Sequence, residues 1–340
     1  AIALLAASVS IPASAQNAPQ MKMTTDIPQS ITTPNSVETR LGTLKFFDGF
    51  PDKATVEKVY DNLDFQRGLQ AYLTALPAVS VEGFRASYAG IGPVNQTVLI
   101  SEQLLDAKSL FLTANTTTPY TILYLDTKDG PLVLEIPPEV LGPIDDAWFR
   151  WVIDVGFTGP DKGKGGKYLI LPPGYAKPVP AGYIALPSGN YQGYALLRSI
   201  LRSGSQEDVA KAVAYAKRIE LYSLAQAQAP PRTTFVDAID KVFDATIPYD
   251  RRFFESLNRV VQAEPWLTRD KAMIDPLRSL GIDKGKAFST DAPTQAIFDQ
   301  AAREARSWLE ARYLTLFSPP YYADSHWAVP VQPELAKELQ

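Results

Sequence analysis

The chain has 340 residues, 46% of them hydrophobic and 21% charged, with a formal net charge of −4, no cysteine and a single histidine, His326. These values describe a foldable globular chain, and at roughly 100–200 residues per domain they set two units as the starting expectation. They exclude disulfides, thiolate zinc sites, iron–sulfur clusters, a cysteine nucleophile and metal centres built from several imidazoles; carboxylate sites stay open, and with no basic stripe nucleic acid is not an expected partner.

The first stretch, AIALLAASVSIPASAQ, is an apolar run followed by the small-x-small pattern Ala13-Ser14-Ala15. It reads as the remainder of a signal peptide over residues 1–16, which implies export to a periplasmic or extracellular location. It is too short to span a bilayer, and no later segment reaches about 18 apolar residues, so no membrane span is expected in the mature chain. Residues 17–40 are polar and rich in Thr and Pro, an extended arm. Helical periodicity then takes over across residues 52–92. Val56, Val59, Tyr60, Leu63, Leu69, Leu73 and Leu76 fall on one face, and a second helix runs from Val79 to Tyr88. SEQLLDA, 101–107, suggests a short third.

Between residues 109 and 200 the period changes to two. Strands are expected near Phe111–Thr113, Tyr120–Asp126, Leu132–Ile136, Phe149–Val155, Lys167–Leu171, Tyr183–Leu186 and Tyr191–Arg198, separated by Gly, Pro, Asn and Asp turns. Short strands at this spacing indicate an antiparallel sandwich or barrel rather than βαβ units. Both faces of YTILYLD, 120–126, are mostly apolar, so that strand should be central and covered on both sides. Helices return over 205–290. Ser205 is an N-cap, ELYSL is strand-like, and further helices are expected near 234–244, 250–263 and 269–280. Residues 291–340 hold a long helix, 294–316, and an aromatic tail whose Tyr321, Tyr322 and Trp327 suit packing on another domain or subunit.

Four blocks in order, LGTLKFFDGFPDKATVEKVYDNLDFQRGLQAYLTALP, NTTTPYTILYLDTKDGPLVLEIPP, GKGGKYLILPPGY with PAGYIALPSGNYQGYALLRSI, and FFESLNRVVQAEP with LRSLGIDKGKAF, resemble the DUF1254 domain family over residues 41–290. The resemblance implies an exported bacterial protein of α+β class, with an antiparallel, jelly-roll-like β-sandwich flanked by N-terminal and C-terminal helices. It also implies a following DUF1214-like domain that this chain would pack on or lack. It implies no established activity and names no cofactor. The family's Asn-Asn-Asp-Thr-type block corresponds to Asn115, Thr116, Thr117 and Thr118, so Thr117 stands where that pattern has its carboxylate.

Two constellations are candidate sites. Asn115, Tyr120 and Asp126 place an amide, a phenol and a carboxylate around a strand entry, either at a pocket mouth or simply as turn chemistry. In WFRWVID, alternation puts Trp148, Arg150 and Asp154 on one face, where Arg150 and Asp154 would form a cross-strand ion pair or clamp an acidic or sugar-like ligand beneath the indole. Convergence of Asp126 with Asp154 would allow glycosidase-like chemistry. GPDKGKGGKY lacks the Walker pattern and is a hairpin tip. His326 has no nucleophile elbow to serve and reads as a linker residue. The leading expectation is non-covalent binding of a small molecule or glycan through an aromatic-lined sandwich. The alternatives are a carboxylate-dependent hydrolase or lyase completed by the further domain, and an interaction module. The chain is also expected to form a homo-oligomer or to pack on a DUF1214-like domain.

Overall fold

The computed structural model describes residues 28–106, 109–110, 114–239, 241–316, 320–325 and 327–328. The chain divides into two compact units, Ala1–Val59 and Tyr60–Gln340. In the first, β1 (Ser36–Thr39), β2 (Gly42–Phe47) and β3 (Phe50–Pro51) form an antiparallel sheet, so the polar arm ends in a strand. Asp48 and Gly49 both take positive φ, the geometry that an Asp-Gly hairpin turn requires. Thr55 is the one buried residue among those described in this unit.

Helix α1 (Lys53–Ala89) starts in the first unit and continues into the second as a single element, although Pro77 lies inside it. Two helices were expected here. Ala75, Ala78 and Val79 on either side of the proline are buried in one apolar cluster, and their packing outweighs the lost backbone bond. The N-terminal part of the predicted stripe does not reach a core, since Val56, Val59, Tyr60 and Leu63 are exposed.

The second unit continues with β4 (Thr97–Ile100), β5 (Tyr120–Asp126), β6 (Leu132–Ile136), β7 (Val140–Asp146), β8 (Trp151–Val155), β9 (Gly166–Leu171), β10 (Ile184–Pro187), β11 (Gln192–Ser199), helix α2 (Gln206–Ala216), β12 (Glu220–Ser223), β13 (Thr234–Asp237) and helices α3 (Arg252–Ala263), α4 (Lys271–Ile274) and α5 (Ala292–Leu316). One sheet has the order β13-β4-β5-β11-β7-β8 and the other β10-β9-β6-β12. Pairing is antiparallel except at β4–β13 and β9–β10, which are parallel. The long connection from Leu171 to Ile184 allows β10 to cross over and return in the direction of β9. The fold is therefore mixed α+β with antiparallel-rich sheets, and not wholly antiparallel.

Strand β5 is buried on both faces, as its sequence implied. Leu123 and Leu125 join Leu134 of β6, Tyr168 and Ile170 of β9 and Leu186 of β10 in one apolar cluster, so side chains of both sheets share a core. On its other face Tyr120, Ile122 and Tyr124 pack with Val81, Phe84 and Tyr88 of α1. A third cluster joins α1, α3 and α5. Tyr72 stacks on Phe253 with ring centroids 3.8 Å apart, and Phe254 stacks on Phe298 at 4.1 Å. Ala147 and Trp148, from the turn between β7 and β8, insert into this helical cluster and tie the sheet's end to it.

Several predicted elements are corrected. The helix expected over 234–244 begins as strand β13, because Phe235 and Val236 alternate onto different apolar clusters. Ser101–Asp106 form no helix; Leu105 alone of their larger apolar side chains is fully buried. The 269–280 segment is two short 3-10 turns around α4, ended by Gly281 at φ 81°. Strand β7 is hidden in the sequence by Gly142-Pro143, which look like a turn; Pro143 falls where the ladder to β11 skips, so its missing N–H interrupts no register pair with that strand. The strand expected at Phe111–Thr113 lies outside the described residues, as does His326.

Candidate ligand site

Three loops meet at one end of the six-stranded sheet: 146–150 between β7 and β8, 188–192 leading into β11, and 264–270 after α3. The first is a hairpin with three residues between Asp146 and Arg150. Phe149 N donates to Asp146 O at 3.0 Å, and Phe149 itself takes φ 60°. That position normally suits Gly or Asn, and a bulky ring there stores local strain. Asp146 holds the turn from below, its Oδ1 accepting from Trp148 N at 2.8 Å and Arg150 N at 3.0 Å.

The loops are cross-linked. Arg150 donates to Asp270 at 2.6 Å and 3.4 Å, and its guanidinium carbon lies 5.8 Å from the Trp148 ring centroid. Arg269 Nη2 stands 3.5 Å from Asp146, and its Nε 3.7 Å from Asp270. Both carboxylates are buried while both guanidiniums reach solvent.

Glu264 follows α3 directly and is 2% exposed. Its carboxyl accepts from Tyr191 N at 2.7 Å and Gln192 N at 3.0 Å, clamping the start of β11. Burial pushes its proton affinity up to about 7; the two N–H groups and the Asn190 side chain oppose that rise, and the charge of Asp126 adds to it. The Asn190 amide lies close to Glu264 but makes no hydrogen bond of ordinary geometry, although the residue is 0% exposed. Two further buried polar atoms in these loops are unpartnered, the indole nitrogens of Trp148 and Trp266.

Asp145, beside this junction, is pushed above the usual carboxylate range by burial, with Asp146 and Asp154 adding to the rise and Tyr194 opposing it. A cavity of about 20 Å³ lies nearby, lined in part by Asp145, Ser188, Tyr191 and Gln192. That is room for one water and far below the roughly 300 Å³ of a preformed small-molecule pocket. At the rim, Phe149 is 43% exposed and Trp151 65%. Among the described residues no group of three or more His, Cys, Asp or Glu is arranged to hold a metal ion.

The sequence-predicted residues separate. Asn115 is turn chemistry: its Oδ1 accepts from the backbone and hydroxyl of both Thr117 and Thr118 at 3.0 Å, and its N–H donates to the Tyr120 hydroxyl. Asp126 bonds Gln192 Nε2 at 2.9 Å, and Tyr124 donates to the same glutamine at 3.1 Å, which places Asp126 close behind the junction. Trp148 and Arg150 are in the junction itself. Asp154 is not, and the expected Arg150–Asp154 pair is corrected to Arg150–Asp270. Trp148 sits in a turn, so strand alternation does not extend from it to Asp154. Asp154 is paired with Pro143, four positions along and three strands across from Asp126. At ordinary strand spacings the two carboxylates stand about 20 Å apart, too far for paired glycosidic chemistry.

Asp146, Asn190, Glu264, Trp266, Arg269 and Asp270 escaped the sequence reading. Their one local signal is AEPW, an acid between a helix and a proline, which marks a helix end rather than a site.

The fold and junction thus define a mixed α+β protein with antiparallel-rich sheets and a polar loop junction at one end of the six-stranded sheet. Residues 94–223 match the model of the DUF1254 family, described as a protein of unknown function, so the resemblance holds over that stretch. The match takes in the middle two of the four sequence blocks, β4 to β12, and the 146–150 and 188–192 loops; the 264–270 loop lies beyond it. No curated protein matches the chain. Among solved structures it is similar in fold to the VPA0106 protein from Vibrio parahaemolyticus, at 15% identity and a TM-score of 0.52, over 74% of this chain and 60% of that one. The chain therefore spans about 60% of the length of that relative.

Proposed function

We propose that the protein binds a small oxygen-rich molecule of glycan type, without covalent chemistry, at the junction of the 146–150, 188–192 and 264–270 loops. The observation that carries this reading is the set of buried, unpartnered polar groups there: Trp148 Nε1–H, Trp266 Nε1–H and the Asn190 amide. Such groups are rare in folded proteins and cost about 1–3 kcal/mol each when unpaired. Three of them in loops cross-linked by ion pairs suit a ligand whose oxygens accept from them. Phe149 and Trp151 at the rim offer the planar apolar faces that a sugar ring packs on. The ligand is thereby placed at the end of the six-stranded sheet and not between the two sheets, whose side chains share one core.

Because the neighbouring cavity has room for no more than a water, a ligand enters by parting the loops. The strained hairpin at Phe149 is the natural place for that movement. The test is a panel of mono- and disaccharides titrated by calorimetry against the wild type and Trp148→Phe, which keeps the ring and deletes the N–H. Binding should weaken about tenfold in the variant, the value of one hydrogen bond of about 1.4 kcal/mol. If Trp148→Phe only raises the melting temperature and leaves every affinity unchanged, the indole is a structural orphan and the reading is wrong.

A further inference from the structure

We infer, building on that reading, that the ligand is a hydroxylated carboxylic acid, of the uronic or aldonic type, rather than a neutral sugar. A neutral sugar's hydroxyls both donate and accept, so a site for it supplies both kinds of group. The side-chain atoms left without any partner here are mostly donors, while each buried carboxylate already accepts at least one N–H. Oδ1 of Asp146 is taken by the N–H groups of Trp148 and Arg150. Asp270 receives the Arg150 fork. Each oxygen of Glu264 already accepts one N–H, from Tyr191 and Gln192. The unpartnered groups are donors, with Asn190 Oδ1 the one exception.

The cation for such an acid is Arg269. Its side chain is 54% exposed and makes no hydrogen bond among the described residues, lying just outside bonding geometry from Asp146 and Asp270. The two carboxylates hold it in place without using its donors. Gly189 faces it, and a Cβ at that position would sit 3.1 Å from Arg269 Nη2, so a side chain there would crowd the guanidinium. A planar guanidinium with free N–H groups matches a carboxylate in two parallel hydrogen bonds.

The full chain is titrated with glucuronate, gluconate and glucose at matched ionic strength, as wild type, Arg269→Gln and Trp148→Phe. Glucuronate or gluconate should bind at least tenfold tighter than glucose. Arg269→Gln should erase that preference by lowering the acids' affinity to that of glucose, and Arg269→Lys should restore part of it. If Arg269→Gln leaves the acid's affinity intact, or glucose binds as tightly as the acids, the acid inference is overturned while the site stands. If Trp148→Phe alters no affinity at all, the site itself is wrong and the inference falls with it.

Discussion

Removing the Asp270 carboxylate leaves Arg150 beside Trp148 without its counter-charge, and leaves Arg269 facing Asp146 alone. Breaking one side of a buried pair costs about 3–5 kcal/mol; with Arg150 partly exposed, Asp270→Ala should cost about 2–3 kcal/mol in urea unfolding. Asp154→Asn should change stability by less than about 0.5 kcal/mol, because among the described residues no ion pair depends on it. Equal effects from the two substitutions would mean that the assignment of the Arg150 partner is wrong. At this scale the sequence pointed to Trp148 and Arg150 through their composition. It could not point to Asp270, which lies 120 residues away and reaches Arg150 only through the packing of the β7–β8 turn on the helical cluster. The same holds for Glu264, whose partners are backbone N–H groups that carry no sequence signature.

Among the elements, α1 holds the clearest conflict between local preference and packing. Pro77 is exposed yet lies in the middle of a 37-residue helix, where it removes one backbone donor and crowds the preceding turn. Pro77→Ala should therefore raise stability by on the order of 1–3 kcal/mol, seen as a higher melting temperature with unchanged helical content. A drop in stability would show that the helix needs a bend there to seat Ala75, Ala78 and Val79. Strands with strong alternation, β5, β6, β9 and β11, were legible to within a residue or so, because each buries apolar side chains on two sides or in strict register. Strands β4, β7 and β13 were not: four residues carry too little periodicity to separate strand from helix, and Gly142-Pro143 imitates a turn.

Across the whole molecule, Glu264 links the sheet and the helical layer and makes stability depend on pH. Its proton affinity is higher folded than unfolded, 4.5 rising to about 7, so the folded state holds the proton more tightly. The contribution is therefore fully favourable below about pH 4.5, is lost as pH rises to about 7, and stays constant above that. The difference in unfolding free energy between wild type and Glu264→Gln should change by up to about 3 kcal/mol across this window, with the wild type losing ground as pH rises. A difference that stays flat from pH 4.5 to 7.5 would show that the two backbone N–H groups hold Glu264 ionised throughout.

By itself the sequence determined the class of fold, the two-sided burial of β5, the alternation that builds the sheets, and the lack of thiol chemistry. Those properties follow from residue type and short-range period, which the chain carries wherever it folds. Only the tertiary structure decided which strands pair in parallel, that α1 runs through its proline, and that Trp148 and Arg150 meet Asp270 and Arg269 rather than Asp154. Those outcomes depend on contacts between residues far apart in the chain, where burial energy shared over many side chains outweighs the preference of any one segment.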